Sequence, residues 1–222
     1  MMKTKINVIA FLLALNLMGC KKEQPFNDYQ YSDKGTVLNC ENMDTKLYNE
    51  ALYTFENDIL NFYGTDRPNQ LRAYSQFVRE AVYNRVKYVD ILSPHTVNVF
   101  QALKKDNTLW DANQPKSHLN YNSAFFKCIA DNIQNNDLKV TLNALVSTKS
   151  MSPKLFGTPL TSQYSLAIKD KYLATYIAFD LFYAKLFDVD LSQINMDKPK
   201  EAVDFNKVPK DINPDMHAGH NH

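Results

Sequence analysis

The sequence predicts an all-α fold, a single compact domain of about six helices, and three observations predict it. Between residues 44 and 191, apolar side chains recur at three- and four-residue steps, the spacing that gathers them on one face of a helix. Glycine is scarce, 5 in 222 residues, which argues against a fold built from many tight β-turns. Residues that start helices stand where the periodic stretches begin, as in Ser93-Pro94 and at Ser123.

Tyr48, Leu52, Phe55, Ile59 and Phe62 share the first stripe; Asp44 or Thr45 caps it and Gly64 ends it. Pro68 suits the start of the second helix, where a missing N–H costs nothing, and Leu71, Tyr74, Val78, Ala81, Val82, Val89 and Leu92 make its stripe. In the third, Ser93 caps, Pro94 forms the first turn, and Val97, Phe100 and Leu103 face inward. Residues 107–120 read as a loop holding Trp110, Pro115 and His118. Ser123 caps the fourth helix, with Phe126, Ile129, Ala130 and Ile133 on its stripe and Cys128 beside them. Asn135-Asn136-Asp137 breaks or kinks the run before Leu138, Leu142, Leu145 and Val146 carry it on. Residues 147–159 read as a second loop, with Pro153, Gly157 and Pro159. The longest apolar segment, 164–191, is apolar on more than one face and is expected to be the central helix; Lys169, Asp170, Lys171, Asp180 and Lys185 set it apart from a membrane span.

Two ends flank this domain. Residues 1–5 are short and basic, residues 6–18 are apolar apart from Asn7 and Asn16, and the stretch closes with Leu17-Met18-Gly19-Cys20. The apolar core is too short to cross a bilayer and has the layout of a cleaved secretory leader. Leu-x-Gly-Cys resembles the lipobox of bacterial lipoproteins. That resemblance implies cleavage before Cys20 and acylation of its thiol. With Lys21 rather than aspartate after the cysteine, it also implies anchoring in the outer membrane of a Gram-negative cell, on the periplasmic face or at the cell surface. The division is then a leader over 1–19, a lipidated tether over 20–40, a helical domain over 41–191 and a flexible, histidine-containing tail over 192–222. The polar, aromatic-spotted run 21–38 reads as an extended, mobile tether, with Tyr29 and Tyr31 available to dock on the body or on a partner. In an exported chain whose Cys20 carries lipid, Cys40 and Cys128 either pair or stay as buried free thiols; pairing is the expectation.

Composition excludes some partners. Without the leader's Lys3 and Lys5, the chain carries 23 basic against 24 acidic residues, so no long-range field toward nucleic acid is implied. Aromatics are plentiful, 13 Tyr and 13 Phe, and at helical spacing they belong to a core before they belong to a groove.

The sequence holds one clear cluster of chemistry-bearing residues. His217, His220 and His222 lie near the end beside Asp215 and Met216, donors that suit Zn, Cu or Ni. His95, in the first turn of a helix, reads as a surface or capping residue whose pKa the positive helix end lowers. His118 is a loop histidine, and nothing in the spacing joins either one to a cysteine nucleophile. Glu56 with Asp58, and Asp188 with Asp190, read as solvated faces or helix ends. No haem-attachment, zinc-protease, hydrolase-elbow, phosphate-loop or dinucleotide motif occurs. The expected function is non-enzymatic, and the lipobox resemblance implies a lipid-anchored subunit of an outer-membrane or cell-surface complex around a β-barrel. The alternatives are an envelope metal-binding protein using the terminal histidines, and a glycan- or peptide-binding lipoprotein with a groove of Tyr, Phe and Trp110.

Overall fold

The computed structural model describes residues 25–64, 69–114, 116–194 and 196. Pro68, Pro115, Cys20 and the histidines 217, 220 and 222 lie outside them. Among the described residues the fold is all-α: α1 (Lys46–Tyr63), α2 (Gln70–Val82), the single turn α3 (Tyr88–Ile91), α4 (Pro94–Leu103), α5 (Ala124–Asn132), α6 (Asn136–Ser147), α7 (Pro153–Gln163) and α8 (Lys171–Tyr176). None of these helices is long and apolar enough to cross a membrane.

The expected capping chemistry sets most boundaries. The Ser93 side chain accepts the N–H of Thr96, with Pro94 in the first turn of α4, and Ser123 accepts the N–H of Phe126 at α5. The cap of α2 is Asn69, which takes the N–H of Arg72. Asn135 is a cap as well as a break: its side chain accepts the N–H of Leu138 and starts α6. Thr45 stands at the cap position of α1, but its hydroxyl donates to the Leu38 carbonyl at 2.9 Å instead.

Three stretches depart from the expected six helices. The second splits, because Asn84 adopts φ 53° just after α2; this left-handed conformation ends a helix, and asparagine tolerates it. The loop expected over 147–159 becomes α7 from Pro153 onward, because Ser152 accepts the N–H of Leu155 and Pro153 fits the first turn. Pro159 lies inside this helix, where it has no N–H to give the turn before it. The expected long last helix is a rod of changing pitch. A 3-10 turn (Tyr164–Ile168) precedes α8, which runs into a π-wound stretch (Ile177–Phe182) and then a 3-10 stretch (Tyr183–Asp188). Asp170 starts α8 by accepting the N–H groups of Tyr172 and Leu173.

This rod is central, as its sequence suggests: Leu173, Ala174 and Tyr176 through Ala184 are all buried. It shares the centre with α1, in which every residue from Tyr48 to Glu56 is buried. Aromatic rings fill the space between them. Phe55 meets Phe182 and Phe77, Phe125 meets Tyr48 and Phe179, and Phe156 meets Tyr176, with centroids 4.2–5.2 Å apart. The loop over 107–120 folds back on itself: Asp111 donates its N–H to the His118 carbonyl at 2.7 Å and Asn120 to that of Leu109 at 2.9 Å.

Gly157 shows how closely α7 lies on α2. A Cβ there would meet Val82 Cγ1 at 2.6 Å. Gly157→Ala should therefore destabilise by about 1–2 kcal/mol, the overpacking cost outweighing the gain in helix propensity. Adding Val82→Ala should recover part of that loss, and urea melts of the single and double variants would measure both.

The N-terminal segment is not a free tether over its described part. Residues 25–40 form a strap across α1, and Leu38 is fully buried. The strap ends at Cys40, which is bonded to Cys128 on α5 with 5.8 Å between the Cα atoms. The two thiols expected to pair are thus the two that the fold brings together.

Candidate functional site

Where the strap crosses α1, one face of that helix supplies its bonding partners. Asn49 Oδ1 accepts the backbone N–H groups of Val37 and Leu38 at 2.8 and 3.2 Å. The Glu50 carboxylate accepts those of Gln30 and Tyr31 at 2.7 and 3.1 Å. The Tyr53 hydroxyl donates to the Lys34 carbonyl at 3.4 Å. Beyond its 3-10 turn (Ser32–Lys34), the strap so finds acceptors on α1 for four of its N–H groups.

His95 sits at the centre of this contact. Its Nε2 is 2.7 Å from Glu50 Oε1 and its Nδ1 is 3.1 Å from Asp28 Oδ2, so one imidazole bridges a carboxylate of α1 and a carboxylate of the strap. His95 is 8% exposed, Glu50 2% and Asp28 49%. The reading of His95 as a surface or capping histidine is corrected: Ser93 is the cap, and the imidazole is enclosed by Phe26, Tyr31 and the two carboxylates. The expected direction of its pKa is corrected too. Burial pulls the imidazole down, but the hydrogen bonds to Glu50 and Asp28, and then their charges, outweigh it, so the pKa lies above the ordinary 6.5.

Glu56 and Asp58, expected on a solvated face, are buried. Glu56 accepts the Tyr74 hydroxyl at 2.8 Å and the Lys171 ammonium at 2.6 Å. Asp58 accepts the Ser93 N–H at 3.0 Å and the Thr96 hydroxyl, which ties α1 to the first turn of α4. A fourth buried carboxylate, Asp180 in the π-wound stretch, accepts hydroxyls from Ser117, Tyr121 and Tyr176. Burial pushes its pKa up, against the pull of those three donors. These groups spend their bonding capacity inside the fold, where they fix how the elements sit on each other.

The other histidine and the aromatic residues fall elsewhere. His118 Nε2 lies 3.3 Å from both carboxylate oxygens of Asp188 on the surface, its ring against Phe187. With Cys40 and Cys128 bonded to each other, neither histidine has a described thiol to activate. Asp190 holds the N–H of Ser192 and is solvated, as its position near a helix end suggests. The Trp110 indole N–H donates to the Leu103 carbonyl at 2.8 Å and its ring packs on Phe100 and Phe187. An open groove of about 510 Å³ runs beside the strap, lined by Phe26, Tyr29, Leu47, Asn98 and Gln101 among others. Among the described residues, no group of three or more His, Cys, Asp and Glu side chains is placed to hold a metal ion.

Sequence periodicity could not reveal the Asp28–His95–Glu50 bridge, whose members lie 67 and 45 residues apart. The available hint was Asn49-Glu50 beside Tyr48 and Leu52 on the core stripe, a polar pair that needs a cover. Against protein families, curated proteins and solved structures, the chain shows no match, and the function it performs has to be argued from its own residues.

Proposed function

We propose that this chain is a lipid-anchored, non-enzymatic subunit of an outer-membrane or cell-surface protein complex, held by acylated Cys20 and seated against a β-barrel partner. One observation carries the reading beyond the lipobox resemblance. The strap is already docked on the body at Phe26, which packs on the core beside His95. Six peptide units separate Phe26 from Cys20, a reach of at most about 22 Å. An acyl chain on Cys20 would keep the face of α1 and α4 close to the bilayer in a restricted orientation, which suits a subunit that meets a membrane partner by a fixed surface. Several acyl chains on one cysteine make such an anchor lasting.

Affinity purification from gently solubilised native membranes tests the proposal, with the tag placed away from both termini. A stoichiometric barrel in the eluate, lost with Cys20→Ala, is the expected result. A chain that elutes alone from membranes that retain it would overturn the complex, and a wild-type chain that takes up no labelled palmitate would overturn the anchor.

A second reading, a glycan- or peptide-binding lipoprotein, draws on the groove beside the strap, which Phe26 and Tyr29 line together with Asn98 and Gln101. Binding that survives Phe26→Ala and Gln101→Ala together would remove it. The metal-binding reading rests on His217, His220 and His222, outside the described residues, and deleting residues 215–222 is its test.

A further inference from the structure

The bridge at His95 joins two carboxylates that differ in exposure. Glu50 belongs to α1 and is enclosed; Asp28 belongs to the strap and is half-exposed. A neutral imidazole has one N–H to donate, whereas the imidazolium has two. Both ring nitrogens face a carboxylate within hydrogen-bond distance, so only the protonated ring satisfies both contacts. In the neutral form one nitrogen turns a lone pair toward a carboxylate.

The two ends of the bridge are unequal. Glu50 is enclosed and shares its carboxylate between the imidazole and the N–H groups of Gln30 and Tyr31, while Asp28 has solvent as its ready alternative. Loss of the proton therefore frees Asp28 first. It also removes from Glu50, buried at 2%, the cation that faces it at 2.7 Å.

We propose that Asp28, His95 and Glu50 form a proton-dependent clamp: the imidazolium holds residues 25–31 of the strap on α1 and α4, and its deprotonation releases that stretch from the body. The other titratable and charged groups around the clamp include Tyr29, Tyr31 and Lys34 from the strap, Asp44, Lys46, Tyr53 and Asp58 from α1 and its approach, and Tyr183 from the rod, whose hydroxyl pKa is raised by burial well above its ordinary value. Burial raises the Tyr29, Tyr31 and Tyr53 hydroxyls further above their ordinary 10.0, so they stay neutral while the histidine titrates. Lys34 is a cation lying over the rings of Tyr31 and Tyr53. Asp58 is held by Ser93 and Thr96.

The direction of the effect is set by linkage. The docked state binds the proton more tightly than a free imidazole at 6.5 does, as its raised pKa indicates. The contribution of the clamp is thus complete below about pH 6.5 and is lost as pH rises through the docked value. The strap is closed in acid and open in base.

The clamp does not depend on the membrane reading, and its test needs no bilayer. Amide hydrogen exchange of the purified full-length protein, corrected for intrinsic rates, should show the protection of Gln30 and Tyr31 falling about tenfold or more between pH 6 and pH 9. Val37 and Leu38, held by the non-titrating Asn49, serve as the internal reference and should change little. Asp28→Asn, at a half-exposed position, should lower the protection at pH 6 and flatten the profile. His95→Gln should remove the pH step altogether; should that variant fail to fold, Asp28→Asn decides alone. Wild-type protection that is level across this range, or an Asp28→Asn profile that matches the wild type, would overturn the clamp.

Discussion

Phe182→Ala is expected to lower the unfolding free energy by about 3–5 kcal/mol, the range for emptying a large aromatic site in a packed core. The ring is fully buried and meets four others, Phe55 at 5.2 Å, Phe77 at 5.9 Å, Tyr88 at 6.1 Å and Tyr183 at 5.1 Å. These belong to α1, α2, α3 and the rod itself, so one truncation loosens four elements at once. Their rings are rigid and packed on further rings, which limits how far they can collapse into the space. A domain of this size is stable by only about 5–15 kcal/mol, and the variant should melt far earlier in urea. Val140→Ala, at an exposed position on α6, is the control and should change stability by less than about 0.5 kcal/mol. A loss below about 1 kcal/mol for Phe182→Ala would mean that the ring is not at the centre of the core.

The second large effect concerns the bridge between Cys40 and Cys128. These residues are 88 apart in sequence, and closing a loop of that length is worth about 4–5 kcal/mol in the chain-entropy account. Cys40→Ser with Cys128→Ser should therefore unfold at markedly lower denaturant, and reduction of the wild type should reproduce that shift. Reduced and oxidised wild type melting together would remove the bridge from the stability of the fold.

The helical stripes and their caps were legible because both are local. Ser93, Ser123 and Pro94 act within four residues of their own positions, and the Phe55 and Phe100 stripes repeat every turn. The pairing of Cys40 with Cys128 was legible for a different reason, that exported thiols tend to pair. Three features were hidden by the physics that made the others visible. The strap has no period, and its bonds run from backbone N–H groups to side chains 11 to 20 residues on. The rod over 171–188 is apolar on more than one face, so its pattern carries too weak a phase for a change of pitch to be read. Glu56 and Asp58 look solvated because charge alone marks a surface; their partners Tyr74, Lys171, Ser93 and Thr96 come from other elements. Of the candidate site, His95 could be placed on its helix turn, but the two carboxylates that define its chemistry could not be read.

The covalent link from strap to α5 also settles how the molecule bears a mechanical load. A pull applied at the N-terminus travels along the strap to Cys40 and crosses there to Cys128. Residues 41–127, with α1 through α4, form a closed loop beside that path and carry no tension along their backbone once the strap's bonds to Asn49, Glu50 and His95 have parted. Force can strip the strap from the body, yet it cannot stretch the loop that contains half of the core. Anything that tugs on this protein from its N-terminal side draws on α5 and the helices C-terminal to it, while the ring cluster around Phe55 and Phe77 stays outside the line of force.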